Sequence, residues 1–317
     1  MKNSRFVLML TLAYASISAQ LQAQDLINGT YHISYQKTKV DDIEIFYREA
    51  GDPKKPTILL LHGFPSSSHM YRNLMEKLAP NYHLIAPDYP GFGLSSSLSP
   101  AVFNYSFDHL SEIVEKFIDK LQLKSITFYL QDYGGPIGFR IITKRPELVK
   151  SLIIQNANIY LEGLGPDVKK IGVLTEANAT KALEAVTTYM MSFEGIKEQY
   201  IYGTANPDRV SPDSYYMDHF IFEQPGIKDI QKVLFKDYGN NFPKYPEWQS
   251  YLRKHKPPLL ITWGKNDKIF PGTGALAYKK DLPYAEIHLF DGGHFLLEEY
   301  GNEIAGRIDT FMQKISQ

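Results

Sequence analysis

Apolar positions along this chain keep two rhythms in turn. "YHISYQKTKV" (31–40) and "IEIFYREAG" (43–51) alternate apolar and polar residues, with "DD" between them, which predicts a hairpin. "PTILLLHGFP" (56–65) is an apolar run too short for a helix and bounded by proline and glycine, so it reads as a buried strand. "SSSHMYRNLMEKLAP" (66–80) then takes up helical spacing behind a serine N-cap. A second buried strand, "YHLIAPDYPGFGLSS" (82–96), ends in a glycine loop. "FDHLSEIVEKFIDKLQL" (107–123) has apolar residues three and four apart and predicts a helix. The strand "SITFYL", a turn at Asp132, the helix "GGPIGFRIITKRP" and the strand "VKSLIIQNA" follow.

Buried strands alternating with amphipathic helices define an α/β chain: a mostly parallel sheet with helices on both faces. Between about Asn158 and Trp248 the rhythm breaks. That segment is helical in character, rich in tyrosine, and punctuated by "GTANPDRVSPDS" and "YGNNFPKYP". The strand–helix pattern then resumes with "PPLLITWGKND", "GALAYKKDLP", "YAEIHLFDGGH" and a final helix "LEEYGNEIAGRIDTFMQKI". An insertion that returns to the same sheet predicts a cap over it; the alternative is a separate domain with its own partner. The expected organisation is a leader at 1–23, a first core part at 24–157, a helical cap at 158–250 and a second core part at 251–317.

Composition narrows the function classes. The 317 residues are 44% hydrophobic with a formal net charge of -1, which fits a globular protein and gives no reason to expect nucleic acid or an anionic membrane surface as partner. The expected partner is a small-molecule substrate, with oligomeric state left open. The start, "MKNSRFVLMLTLAYASISAQLQAQDL", has Lys2 and Arg5 before an apolar run and then small residues, the layout of a secretory signal peptide cleaved after Ala19 or Ala23. The run falls short of the ~20 residues a membrane span needs. A periplasmic or secreted protein is therefore expected. The chain has no cysteine, so disulfides and thiolate metal sites are excluded, and neither metal nor cofactor is expected.

Four motifs fall in one order: "HGFP" (His62 to Pro65), "DYPGFGLS" (Asp88 to Ser95), "LQDYGG" (Leu130 to Gly135), and "WGKND" with "DGGH", which carry Asp267 and His294. Singly each is weak; an aspartate after a strand is often only a helix N-cap. Together, at strand ends, they resemble the α/β-hydrolase superfamily, whose triad runs nucleophile, acid, histidine. The resemblance spans nearly the whole chain after the leader. It implies an α/β-hydrolase fold with an inserted helical cap, Asp132 as nucleophile, His294 as base and Asp267 as its orienting acid. The backbone N–H groups of Phe64 and Tyr133 are placed to form an oxyanion hole, and the small Gly134 and Gly135 let helix and sheet approach closely. No serine elbow of the G-x-S-x-G type occurs, and Ser66 to Ser68 read as the start of a helix.

An aspartate at the elbow changes the chemistry. It is already ionised at neutral pH and can displace a leaving group from saturated carbon, leaving an alkyl-enzyme ester that His294-activated water hydrolyses. Aspartate nucleophiles in this superfamily resemble two groups, epoxide hydrolases and dehalogenases. Haloalkane dehalogenases place a tryptophan after the nucleophile as a halide donor, and fluoroacetate dehalogenases an arginine; here the residue is Tyr133. "HGFP" is a form common among epoxide hydrolases, whereas "QD" before the turn leans toward haloalkane enzymes. Trp263, on a core strand, and Trp248, at the end of the cap, are poor halide ligands. Epoxide hydrolases protonate the opening ring with cap tyrosines. "FKDYGNN" resembles the stretch that carries one of them, which points to Tyr238, 29 residues before Asp267 (267 − 238). Tyr160, Tyr189 and Tyr200 are the candidates for its partner, with Tyr160 taken first. Epoxide hydrolysis is the leading expectation, with dehalogenation, an esterase- or lactonase-like activity, and a non-catalytic ligand-binding protein as alternatives.

Overall fold

The unbroken apolar runs become the middle of one sheet. The computed structural model describes residues 32–316, so the expected leader at 1–23 lies outside the described residues. Eight strands, β1 (Ser34–Val40), β2 (Ile43–Ala50), β3 (Thr57–Leu61), β4 (His83–Pro87), β5 (Ile126–Gln131), β6 (Val149–Gln155), β7 (Leu259–Gly264) and β8 (Glu286–Phe290), stand in the order β1-β2-β4-β3-β5-β6-β7-β8. β1 and β2 form the hairpin, with Asp41 at φ 51 in its turn, and β2 lies antiparallel on β4. From β4 through β8 every pairing is parallel. β5 and β7 are buried at every position, which is why their sequences carry no polar alternation.

Strand order also fixes where the helices lie. The chain steps from β3 outward to β4, then returns past β3 to β5, so right-handed crossovers put the two connections on opposite faces. On one side α1 (Arg72–Leu78) packs with the C-terminal α11 (Leu297–Lys314); on the other α2 (Phe107–Lys120) packs with α3 (Gly134–Lys144). Ser106 caps α2 by accepting from the His109 N–H at 3.1 Å. The 66–80 helix begins as a 3-10 turn, Ser68–Tyr71, capped by Ser67, before it becomes α1.

Between β6 and β7 the chain makes a helical insertion: α4 (Pro166–Glu176), α5 (Thr180–Met190), α6 (Phe193–Ile201), α7 (Pro212–Phe222), α8 (Ile227–Asp237), the 3-10 segment Tyr238–Lys244, and α9 (Tyr245–His255). A short α10 (Thr273–Ala277) follows β7. No helix among the described residues is long and apolar enough to cross a membrane.

A buried polar cluster fastens the insertion to the core. Arg72 donates to Ser214 Oγ at 2.9 Å, and Ser214 donates in turn to Glu298 at 2.8 Å. Beside them Tyr200 donates to Asp218 at 2.5 Å. Burial is the main cause that pushes the Asp218 carboxyl up to about 8, outweighing the Tyr200 hydroxyl and Arg72. The unfolded carboxyl titrates at its ordinary 3.8, so the folded state keeps a proton that the unfolded state releases. That contribution to stability is complete below the unfolded value and is lost as pH rises through about 8. Thermal melts across this window should show the wild-type Tm falling with pH and the Asp218→Asn variant holding a flatter profile. Parallel profiles would remove Asp218 from the account.

Candidate active site

β3 lies between β4 and β5 in the sheet but precedes both in the chain, and open α/β sheets bind ligands at the strand ends where the order switches. The loop after β3 carries Gly63 and Phe64, and the turn after β5 carries Asp132. Asp132 sits at φ 47, in the left-handed region that a residue with a Cβ adopts only under constraint. Its own amide donates to Asn156 O at 3.3 Å, and its carbonyl accepts the Gly135 N–H at 2.9 Å. Two glycines make the fit possible. A Cβ on Gly134 would stand 2.1 Å from the Leu61 carbonyl oxygen, and one on Gly63 would stand 2.2 Å from the Asp132 Cβ. That explains why "HG" and "DYGG" occur together although the aspartate is 69 residues after Gly63 (132 − 63).

The two oxygens of Asp132 face different partners. Oδ1 accepts the Phe64 N–H at 2.7 Å, and the Tyr133 N–H also donates to the carboxylate. Oδ2 faces His294 Nε2 at 3.8 Å. His294 Nδ1 donates to Asp267 Oδ2 at 2.7 Å, because a carboxylate oxygen can only accept. Asp267 is held in turn by the Ile269 N–H at 2.7 Å and by the Asn156 side-chain amide at 2.8 Å. Gln131 Nε2 lies 3.1 Å from His294 Nε2.

Burial pushes the Asp132 carboxyl up to about 6, against the opposing pull of His294 and the Phe64 and Tyr133 amides. Burial alone would lower His294, but the Asp267 and Asp132 carboxylates together raise it above its ordinary value. The site thus holds a strained carboxylate against two amides, with an oriented imidazole within a water's reach of its free oxygen. Such a set can carry out nucleophilic attack and then general-base hydrolysis.

The cavity over Asp132 measures about 20 Å³, room for about one water. Its walls are apolar, with Phe64, Val168, Ile171, Phe235 and Phe270 among them, and the hydroxyl-bearing side chains on it are Tyr133 and Tyr238. Their rings lie 5.7 Å apart. The structure therefore brings Asp132, Asp267, His294, Phe64, Tyr133 and Tyr238 together. It places Tyr160 elsewhere: that hydroxyl donates to Asp281 at 2.5 Å, away from the cavity. Tyr189 is half exposed and bonded to Glu198, and Tyr200 is committed to Asp218. The expected partner of Tyr238 is thus not among these three, and the second tyrosine on the cavity is Tyr133, whose buried hydroxyl has no hydrogen-bond partner. Trp263 donates to Phe270 O at 2.8 Å, and Trp248 is buried against Phe139 and Tyr245; neither lines the cavity. Among the described residues no group of three or more His, Cys, Asp or Glu is placed to hold a metal ion.

Two polar residues went unnoticed in the sequence. Asn156, at the end of β6, bridges Asp267 and the Gly264 N–H (3.1 Å), and Gln199 on α6 lines the cavity. Asn156 had a signal, a polar residue closing an apolar strand next in the sheet to the nucleophile's strand; Gln199, inside an irregular helical stretch, had none.

A parallel sheet with a strained acidic elbow, an oriented histidine and a two-amide hole at its strand ends is the architecture of an α/β hydrolase. The profile of the alpha/beta hydrolase fold family matches residues 56–300, and the chain belongs to that family, in its group of dehalogenase- and epoxide hydrolase-like enzymes. It is 40% identical over 280 residues to an uncharacterised hydrolase of Saccharomyces cerevisiae, covering 86% of this chain and 95% of that one. It is 37% identical over 267 residues to haloalkane dehalogenase 2 of Mycobacterium tuberculosis, covering 80% and 86% of the two chains. The crystal structure of the haloalkane dehalogenase DatA from Agrobacterium tumefaciens shares the fold, with a TM-score of 0.73 at 20% identity over 89% of this chain and 97% of that one.

Replacing Asn156 by alanine removes one of the two donors to Asp267 Oδ2, leaving His294 Nδ1 there, and leaves the Gly264 amide without its partner in a buried site. The expected loss in kcat/KM is roughly tenfold to a hundredfold, with an unchanged circular dichroism spectrum. Wild-type kinetics in Asn156→Ala would show that Asp267 needs no such clamp.

Proposed function

We propose that the enzyme hydrolyses epoxides to diols through an alkyl ester on Asp132. The observation that carries this reading is the pairing of the Asp132 geometry with a tyrosyl hydroxyl, that of Tyr238, on a cavity whose other walls are apolar apart from Tyr133 and Gln199. Oδ2, the oxygen that faces His294 rather than the Phe64 amide, attacks a ring carbon, and the C–O bond breaks to give an alkoxide. Burial raises Tyr238 well above its ordinary value, so it stays a neutral phenol able to hand its proton to the stronger base. Oδ1 becomes the ester carbonyl oxygen and already accepts the Phe64 N–H, with the Tyr133 amide on the same carboxyl. Alkylation removes the Asp132 charge, one of the two carboxylate charges that raise His294, and so favours the neutral imidazole needed next. That imidazole takes a proton from water, and the hydroxide adds to Cγ. The oxyanion forms on Oδ1 against the Phe64 and Tyr133 amides. Collapse breaks the Cγ–Oδ2 bond and expels the diol oxygen, which takes the proton back from His294, and the second water hydrogen, left on the Asp132 carboxyl, returns to the Tyr238 phenolate.

A second reading, halide displacement by the same ester, is favoured by the likeness to a haloalkane dehalogenase. A departing halide needs N–H donors rather than a proton, and neither indole of the chain reaches the cavity.

Incubating the His294→Gln variant with an aryl epoxide and with a bromoalkane, then weighing the protein, tests the shared step. Expected is an adduct of the epoxide's mass on the Asp132 peptide. No adduct from either compound, with wild-type turnover of simple esters, would overturn the reading, and free halide released by wild type would favour the second. Tyr238→Phe should lower epoxide kcat by about two orders of magnitude, the range of a lost general acid. Unchanged turnover would remove that residue.

A further inference from the structure

The cavity at Asp132, about 20 Å³, cannot hold a substrate of ordinary size, yet a groove of about 730 Å³ lies on the outer surface of the insertion. The two share a thin wall. Ile171 and Tyr238 face the cavity, and their chain neighbours Gly172 and Gly239 line the groove. The two segments meet through these glycines: a Cβ on Gly239 would lie 3.9 Å from the Gly172 Cα and 3.5 Å from the Thr175 Cβ. A Cβ on Gly172 would fall 2.4 Å from the Phe242 ring, which packs edge-on against Tyr238 with centroids 5.8 Å apart. On the groove side this wall is made of the two glycines and the edge of Phe242, and on the cavity side of Ile171 and Tyr238. The groove's lining is largely apolar, with Leu164, Phe242 and Pro243 in its walls. Two of its aliphatic side chains, Leu161 and Val173, stand 61% and 64% exposed, apolar surface that an apolar chain would cover.

We propose that substrate reaches Asp132 through the seam between α4 and Tyr238–Lys244, and that the groove binds the apolar remainder of a substrate whose reactive carbon enters the cavity. The substrate class is then a small electrophilic group on an extended apolar chain. This rests on Asp132 as the nucleophile, not on the identity of the leaving group. Because Phe242 touches both Gly172 and Tyr238, opening the seam also moves the proposed proton donor, so passage and ring opening are linked.

The chain has no cysteine, so a Thr175→Cys/Gly239→Cys variant can form a single disulfide across the seam, at a Cβ separation that suits one. Oxidised, it should turn over long-chain terminal epoxides at least about tenfold more slowly than after reduction. Equal rates before and after reduction, with the disulfide complete by mass, would overturn the route. A second measurement needs no turnover. In Asp132→Cys, labelling of the new thiol by alkyl thiosulfonates of increasing length should speed up with chain length, by up to about fourfold per methylene. Adding the surface change Val173→Asp should flatten that series. A series already flat in Asp132→Cys, or one unmoved by Val173→Asp, would overturn the groove's role. If no ester forms on Asp132 with any electrophile, the functional reading fails while the labelling still decides whether the groove leads to the site.

Discussion

The site depends on the backbone of Asp132 being held in a left-handed conformation at the end of β5. Only that bend aims one carboxylate oxygen at the Phe64 amide, 2.7 Å away, and leaves the other facing His294. The strain is carried by neighbours: the amide of residue 132 is bonded to β6's exit, its carbonyl to Gly135, and two glycines without a Cβ let strand β3 and the turn touch. Substituting either glycine would put a methyl group inside another residue's contact radius. The sheet is the frame that makes this contact possible, since β3 and β5 are adjacent strands, paired up to Leu61 and Leu130, at the switch in strand order.

Electrostatics follow from the same enclosure. Burial raises Asp132 and would lower His294, and the carboxylates of Asp267 and Asp132 reverse the second effect. Charge on the elbow and charge on the imidazole therefore support one another. Asn156 joins this chain by fixing Asp267 from the strand between β5 and β7, so three neighbouring strand ends carry one continuous set of hydrogen bonds. The His62 of "HGFP" stands apart from it. Burial pushes that imidazole down to about 4, and it stacks on Tyr89 as a neutral packing group.

The helical insertion covers a scaffold that already holds Asp132, Asp267 and His294 together. It closes a cavity over Asp132, places Tyr238 on it, and is fastened to the core through Arg72, Ser214 and Glu298. Its seam at Gly172 and Gly239 has no such polar fastening among the hydrogen bonds of the described residues. A cover tied on one side and joined by van der Waals contact on the other is suited to part along the weaker line.

The alternation of buried strands with amphipathic helices, and the order Asp132, Asp267, His294, were legible because each rests on a local rule. Strand burial writes an unbroken apolar run, helix burial a three-to-four spacing, and a tight turn writes glycine. Even Tyr238 was marked by the residues around it. The tyrosine partner was not: Tyr160 has the right type and lies in the right segment, but its hydroxyl turns out to Asp281, 121 residues further along, and Tyr133 stands on the cavity instead. The same holds for Asn156, whose contact with Asp267 spans 111 residues. By itself the sequence marked the sheet, the elbow and the three residues, Asp132, Asp267 and His294, that meet there. Only the packing of an insertion without period decided which side chains line the cavity, because those contacts join residues whose spacing along the chain carries no trace of their meeting.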